Sequence, residues 1–126
     1  FMRLIGTALL ERFPGKIINV HPALLPAFPG LDAPAQAIAA RVRISGCTVH
    51  LVDAGIDTGP VLAQAAVPVH EGDDAQALHL RIQAAEHALL PAVVDAIASG
   101  AIELGEHPAY RGAQQDAPAL VSPPLL

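Results

Sequence analysis

An α/β fold is predicted for this 126-residue chain, and three stretches predict it. Lys16 to Val20 is a compact β-branched run with the length and composition of a buried strand. Two more strand-like runs, residues 44–52 and 61–69, flank a Gly- and Asp-containing turn at residues 53–60, which suggests a β-hairpin with an enlarged loop. From Asp74 onward, Ala75, Leu78, Ile82, Ala85, Leu89, Ala92 and Ala96 recur at alternating spacings of three and four, the period of an amphipathic helix.

The remaining elements fit between these. Residues 7–13 read as a short helix ended by Pro14 and Gly15, since proline cannot continue a helix and glycine supplies a helix end. Between His21 and Pro34 lie Pro22, Pro26, Pro29 and Gly30, so this stretch is expected to be a stiff, ordered loop that holds side chains in place. A short helix is expected over residues 35–40. The long helix has an N-cap candidate in Asp73 or Asp74, a stop at Ser99-Gly100, and an expected kink at Pro91. Residues 1–105 are expected to form the folded portion, and the Pro/Ala-rich tail, 106–126, to fray.

Composition narrows the function. Seven Lys and Arg against twelve Asp and Glu give a net charge of −5, which argues against a nucleic-acid partner. Mean hydropathy is +0.44. Yet the longest stretch free of charged residues, Ile17 to Leu31, falls short of the roughly 18 apolar residues of a membrane span, so no membrane association is expected. A lone cysteine, Cys47, excludes an internal disulfide and fits a reducing, cytoplasmic setting. Phe1 opens directly in apolar sequence with no charged leader region, and Met stands second, so the chain is expected to be a piece of a longer one.

Asn19 and His21 stand two apart at the end of the first predicted strand, so period-two geometry points them to one side. An amide that donates to a developing oxyanion beside an imidazole that moves protons suits acyl transfer. Taken alone, the pair reads as readily as a polar strand end. Asp53 and Asp57 are ordinary turn residues by composition, but a carboxylate near His21 would raise the imidazole pKa and orient the ring. Gln83 and Glu86, three apart on the long helix, face one way, normally toward solvent. The six histidines and one cysteine show no metal-ligand spacing, and no phosphate-cradling glycine motif or nucleophile elbow is present.

Two long segments carry a resemblance: Asn19-Val-His-Pro-Ala-Leu-Leu-Pro-Ala-Phe-Pro-Gly-Leu31, and Gly46-Cys-Thr-Val-His-Leu-Val-Asp-Ala-Gly-Ile-Asp-Thr-Gly-Pro60. With Phe1-Met-Arg-Leu4 and Gln83-Ala-Ala-Glu-His87, they closely resemble the phosphoribosylglycinamide formyltransferase family, up to about residue 104. The resemblance implies the C-terminal part of a Rossmann-like formyltransferase domain, with the hairpin and a long C-terminal helix. It implies formyl transfer from 10-formyltetrahydrofolate to the primary amine of glycinamide ribonucleotide, without a metal.

Asn19, His21 and Asp57 are then implied to be catalytic, with His21 as proton donor and Asp57 raising its pKa. The folate pocket maps onto Met2, Arg3, Leu4, Ile5, Asn19 and the loop Asp53, Ala54, Gly55, Ile56, Asp57; the ribonucleotide contact maps onto Gln83, Ala84, Ala85 and Glu86; His50 supports the site. A cis bond is implied at Leu25–Pro26. Two positions depart from the family pattern: Asp32 stands where many relatives carry His, and Arg41 where a helix-ending Gly is common. The resemblance also implies a preceding phosphate-holding portion whose parallel strands would bury Ile17, Ile18 and Val20; without this partner the chain is expected to be inactive and to leave an exposed apolar edge there. Formyltetrahydrofolate deformylase is the nearest rival, although its loop usually lacks the Phe28-Pro-Gly-Leu31 stretch. Methionyl-tRNA formyltransferase needs a tRNA-binding domain that this tail cannot supply. An inert folate-binding fragment is the alternative of another class.

Overall fold

The computed structural model describes residues 16–126. The expected helix at 7–13 and the folate contacts expected from Met2 to Ile5 lie outside them. Four strands form one antiparallel sheet in the order β1-β2-β3-β6: β1 (Ile18–His21), β2 (Ile44–Leu51), β3 (Val61–Pro68) and β6 (Val121–Ser122). A short helix, α1 (Ala33–Ala39), links β1 to β2, and a long one, α2 (Ala75–Ser99), follows β3. The two-residue strands β4 (Ile102–Glu103) and β5 (Ala109–Tyr110) pair with each other.

The hairpin of β2 and β3 is the centre of the molecule. Every β2 residue after Ile44 is buried, because β2 has a strand on each side and a covered surface on each face. Leu78, Ile82, Leu89, Val93 and Ala96 of α2 form one apolar core with Cys47, Val49, Leu51, Ala63 and Ala65 of the hairpin. The sequence period placed Ala92 on this stripe. Val93 is the buried residue instead, the larger side chain filling the turn between Leu89 and Ala96. Asp74 caps the helix by accepting from the Ala77 N–H at 2.8 Å, and Gly100 closes it at φ 82. α2 is one continuous helix through Pro91, whose ring simply leaves the His87 carbonyl without an amide partner.

Three expectations need correction. β1 is half-buried rather than buried up to Val20; it pairs antiparallel with β2, and among the described residues it is an edge strand, as expected for the chain without flanking parallel strands. α1 starts at Ala33, two residues early, because a proline is tolerated in the first turn of a helix. The tail does not merely fray. Val121 and Ser122 pair with Ala65 and Gln64, and the Ala66 N–H donates to the Leu120 carbonyl at 2.7 Å, so the tail covers the outer edge of β3.

The sheet also carries a β-bulge where the register shifts between Val49 and His50, leaving Leu62 as the extra residue on β3. That is why the adjacent Leu62 and Ala63 are both buried. Among the described residues, no helix is long and apolar enough to cross a membrane.

Candidate active site

Cross-strand partners share a face of a sheet, and here register does the gathering. Asn19 pairs with His50 and His21 with Thr48, while Thr48 also faces Gln64 on β3. Asn19, His21, Thr48, His50 and Gln64 therefore lie on the face opposite the α2 stripe. The Pro-rich loop folds over that face: a Cβ on Gly46 would lie 2.8 Å from the Leu24 side chain and 2.0 Å from the Ala65 carbonyl oxygen, so only glycine admits this approach.

The turn between β2 and β3 brings in Asp57. Asp53 builds that turn: its carboxylate accepts from the Gly55 N–H at 2.9 Å and from the Thr58 hydroxyl at 2.7 Å. Gly59 is required beside it, because a Cβ there would sit 1.6 Å from the Leu51 carbonyl oxygen. Asp57, at φ 55, turns inward. One of its oxygens accepts from the Gly30 N–H at 2.8 Å and lies 3.4 Å from His21 Nδ1; the other lies 3.8 Å from His50 Nε2. The two turn aspartates, alike by composition, thus do different work.

His21 is 2% exposed and His50 3%. His21 Nε2 lies 2.8 Å from the Phe28 carbonyl oxygen, which can only accept, so that nitrogen carries a proton. His50 Nδ1 lies 3.0 Å from the Leu51 carbonyl oxygen and carries its proton for the same reason. The other nitrogen of each ring faces Asp57. Among the described residues, His50 Nε2 is buried without a hydrogen-bond partner. A carboxylate between two imidazoles, one with an unspent nitrogen, can hold and pass a proton.

The structure brings His21, Asp57 and His50 together, with Asn19 two residues along the same strand face. It does not bring Asp53 into that group, since both of its contacts are local. Asp32, at φ 55, is exposed and makes no side-chain cap; the Gly30 amide, not residue 32, is the partner of Asp57. Leu25–Pro26 is cis, as the resemblance implied. Ala54, Gly55 and Ile56 are exposed at the tip of the turn, Ile56 by 55%, and could lay an apolar side chain and firmly held backbone against a flat ring system.

Gln83 and Glu86 are half-buried, not fully solvated, whereas Ala84 is exposed and Ala85 packs against the core. Burial pushes the Glu86 carboxyl up from its ordinary range, opposed by the nearby His79, His87 and His21. Burial, then the charge of Glu86, pushes the Cys47 thiol up to about 11. Among the described residues no group of three His, Cys, Asp or Glu side chains could hold a metal ion.

Sequence reasoning missed the residues that fasten the Pro-rich loop. Thr48 Oγ1 donates to the Ala23 carbonyl at 2.7 Å and accepts from the Leu25 N–H at 3.0 Å. Gln64 Nε2 donates to the Leu25 carbonyl and to Thr48 Oγ1, both at 3.0 Å. Their one signal in the sequence is a pair of polar side chains inside otherwise apolar strands.

The chain is similar to known proteins in sequence and in fold. The formyl transferase family matches residues 1–94. Phosphoribosylglycinamide formyltransferase of Mycobacterium tuberculosis is 57% identical over 99 residues, covering 79% of this chain and 46% of its own length. The crystal structure of phosphoribosylglycinamide formyltransferase from Anaplasma phagocytophilum superposes with a TM-score of 0.86 at 43% identity, over 91% of this chain and 57% of that one. A formyltetrahydrofolate deformylase from Pseudomonas syringae, at 23% identity and a TM-score of 0.81 over 87% of this chain and 37% of its own, shares the fold. The chain spans about half the length of the curated relatives it matches. It belongs to the formyl transferase family.

Proposed function

We propose that this chain carries the catalytic residues for formyl transfer from 10-formyltetrahydrofolate to the primary amine of glycinamide ribonucleotide, with Asn19, His21 and Asp57 in the catalytic roles and His50 in support. The observation that carries the reading is the buried His21–Asp57 contact at 3.4 Å, on the strand face that also bears Asn19.

Amine attack on a formyl carbon puts negative charge on the formyl oxygen. One fixed donor such as the Asn19 amide is worth about 3–4 kcal/mol there. The new N–C bond leaves the amine nitrogen with a proton to lose, and the old N–C bond breaks when the folate nitrogen gains one. His21 is held to move that proton. Its Nε2–H points at the Phe28 carbonyl, and its Nδ1 faces the Asp57 carboxylate, so the ring is held at both nitrogens. The exposed tip Ala54 to Ile56, with Asp57, is the folate side of this reading, together with Met2 to Ile5; Gln83 and Glu86 are its ribonucleotide side. Deformylation needs the same proton transfer with water as nucleophile, but relatives at 57% and 43% identity are named phosphoribosylglycinamide formyltransferase, whereas the deformylase stands at 23%, which favours the amine.

The reading includes a requirement for the portion that the longer relatives carry ahead of the matched region. The test is formyl transfer by the 126-residue chain alone and with that portion added in trans. Activity only with the added portion supports the reading; folate hydrolysis without transfer to the amine overturns it in favour of the deformylase.

A further inference from the structure

The Pro-rich loop touches the candidate site twice, and both touches are backbone groups: the Phe28 carbonyl on His21 and the Gly30 amide on Asp57. Backbone groups act at fixed positions only if the loop itself is fixed. Phe28 and Gly30 both have left-handed backbone, at φ 52 and 83, a conformation that costs energy at Phe28 and needs support. The support comes from the two ends. At the near end Thr48 and Gln64 hold Ala23 and Leu25 by three hydrogen bonds, and a fourth joins Gln64 to Thr48. At the far end the side-chain amide of Gln36, on α1, donates to the Pro29 carbonyl at 3.0 Å and to the Leu31 carbonyl at 2.9 Å. Those two carbonyls bracket Gly30, so a single NH2 group sets the direction of the amide that meets Asp57.

We propose that Gln36 and Thr48 are positioning residues for the His21–Asp57 pair: they pin the two ends of the loop whose Phe28 carbonyl and Gly30 amide fix the ring and the carboxylate. This rests on the formyl-transfer reading for its catalytic consequence only. Neither side chain hydrogen-bonds to His21 or Asp57. Thr48 is buried and its hydroxyl is fully used, whereas Gln36 is half-exposed and serves no part of the apolar core. The two pins are therefore separable from the fold to different degrees.

The experiment uses the chain together with the preceding portion that the formyl-transfer reading requires, with Gln36→Met, Thr48→Val and Thr48→Ser. Gln36→Met keeps length and loses both donors. Thr48→Val keeps shape and loses the hydroxyl, and Thr48→Ser restores it. Steady-state kinetics are measured across pH, with 15N spectra of the His21 ring. For Gln36→Met and Thr48→Val, kcat should fall about tenfold or more, both KM values should stay within about twofold, and the proton now held at His21 Nε2 should redistribute to the other nitrogen. Thr48→Ser should recover most of the rate and the parent ring spectrum. If Thr48→Val fails to fold, Gln36→Met decides. An unaltered kcat or an unaltered ring spectrum in the folded variants overturns the proposal. A parent without formyl transfer removes the functional reading instead, and the ring spectrum then decides the positioning role by itself.

Discussion

Two clusters in this molecule are made of the same kinds of residue and do opposite things. His21, Asp57 and His50 come from β1, the hairpin turn and β2, and both rings are buried. His70, Asp73 and Arg81 come from one twelve-residue stretch at the start of α2. There the Arg81 guanidinium donates to both Asp73 oxygens, at 2.7 and 3.2 Å, to the Pro68 carbonyl at 2.9 Å and to His70 Nδ1 at 3.0 Å. Every facing group in that cluster is spent on its neighbour. In the buried cluster the imidazole contacts to Asp57 are longer, and among the described residues His50 Nε2 has no hydrogen-bond partner. A local, satisfied cluster fastens a turn to a helix; a buried, incompletely satisfied one assembled from distant segments retains capacity for chemistry.

The widest separation between the clusters should be in rate. His21→Ala or Asp57→Asn, in the chain together with the preceding portion it requires, should lower kcat by about a thousandfold or more, the range expected when a proton-transfer group or its charge is lost. Asp57→Asn is the sharper variant, because Asn tolerates the left-handed backbone that Asp57 adopts, so charge alone is removed. Asp73→Asn should leave kcat unchanged. Steady-state kinetics with the three variants side by side make the check, and an inactive Asp73→Asn with an active His21→Ala would invert the comparison.

Cys47 tests whether burial alone makes a group reactive. It is fully buried like the histidines, but it faces α2 and not the loop, and its thiol is pushed up to about 11 from 9.0. Two pH units mean about a hundredfold less thiolate near neutrality. Alkylation at pH 8, followed by mass spectrometry, should proceed about a hundredfold more slowly in the folded chain than in denaturant. Fast labelling of folded protein would place the thiol in an open environment.

The difference between the clusters was only partly legible in the sequence. Local devices read well: the Asp74 cap, the Gly100 stop, the hairpin with its enlarged turn, and the stripe from Leu78 to Ala96 each depend on a short pattern. Non-local devices did not. A polar residue alternating with apolar ones reads as a solvated strand face, so Thr48 and Gln64 gave no hint that a loop 23 and 39 residues away would hydrogen-bond to them. A two-residue strand has no period at all, which hid Val121 and Ser122. Asp53 and Asp57 were indistinguishable by composition, and their separation into turn builder and site residue is set by which way each side chain leaves the turn. For the site, only the resemblance joined His21 to Asp57.

A smaller effect separates the clusters by pH. Its hydrogen bond from Arg81, then that from the His70 backbone, lowers the Asp73 carboxyl from 3.8 to about 2. A depressed carboxyl stabilises the folded chain above its unfolded pKa, and that contribution is lost as pH falls through the folded value. Thermal unfolding midpoints between pH 5 and pH 2 should therefore drop more steeply for the parent than for Asp73→Asn, with the gap closing between about pH 4 and pH 2. Parallel curves would mean that Arg81 holds the turn by geometry without drawing on the charge of Asp73.

The smallest effect concerns strain, and again two residues of like conformation differ in use. Asp57 and Arg41 both have left-handed backbone, at φ 55 and 57. At Asp57 that conformation aims a carboxylate at two imidazoles. At Arg41 it only ends α1: the Arg41 N–H reaches the Ile38 carbonyl at 3.1 Å and the Val42 N–H the Ala37 carbonyl at 3.4 Å, the paired bonds of a left-handed helix stop. Glycine meets that geometry without the cost of about 1–2 kcal/mol that a side chain incurs. It also adds about 0.4–1 kcal/mol of unfolded-state entropy, which offsets part of the gain. Arg41→Gly should thus stabilise the chain by a net ~0.5–1 kcal/mol, read as a higher denaturant midpoint at unchanged slope, with kcat unaffected. A lower midpoint would show that the exposed Arg41 side chain, beside Arg43 and His70 along the groove they line, contributes more than its backbone costs.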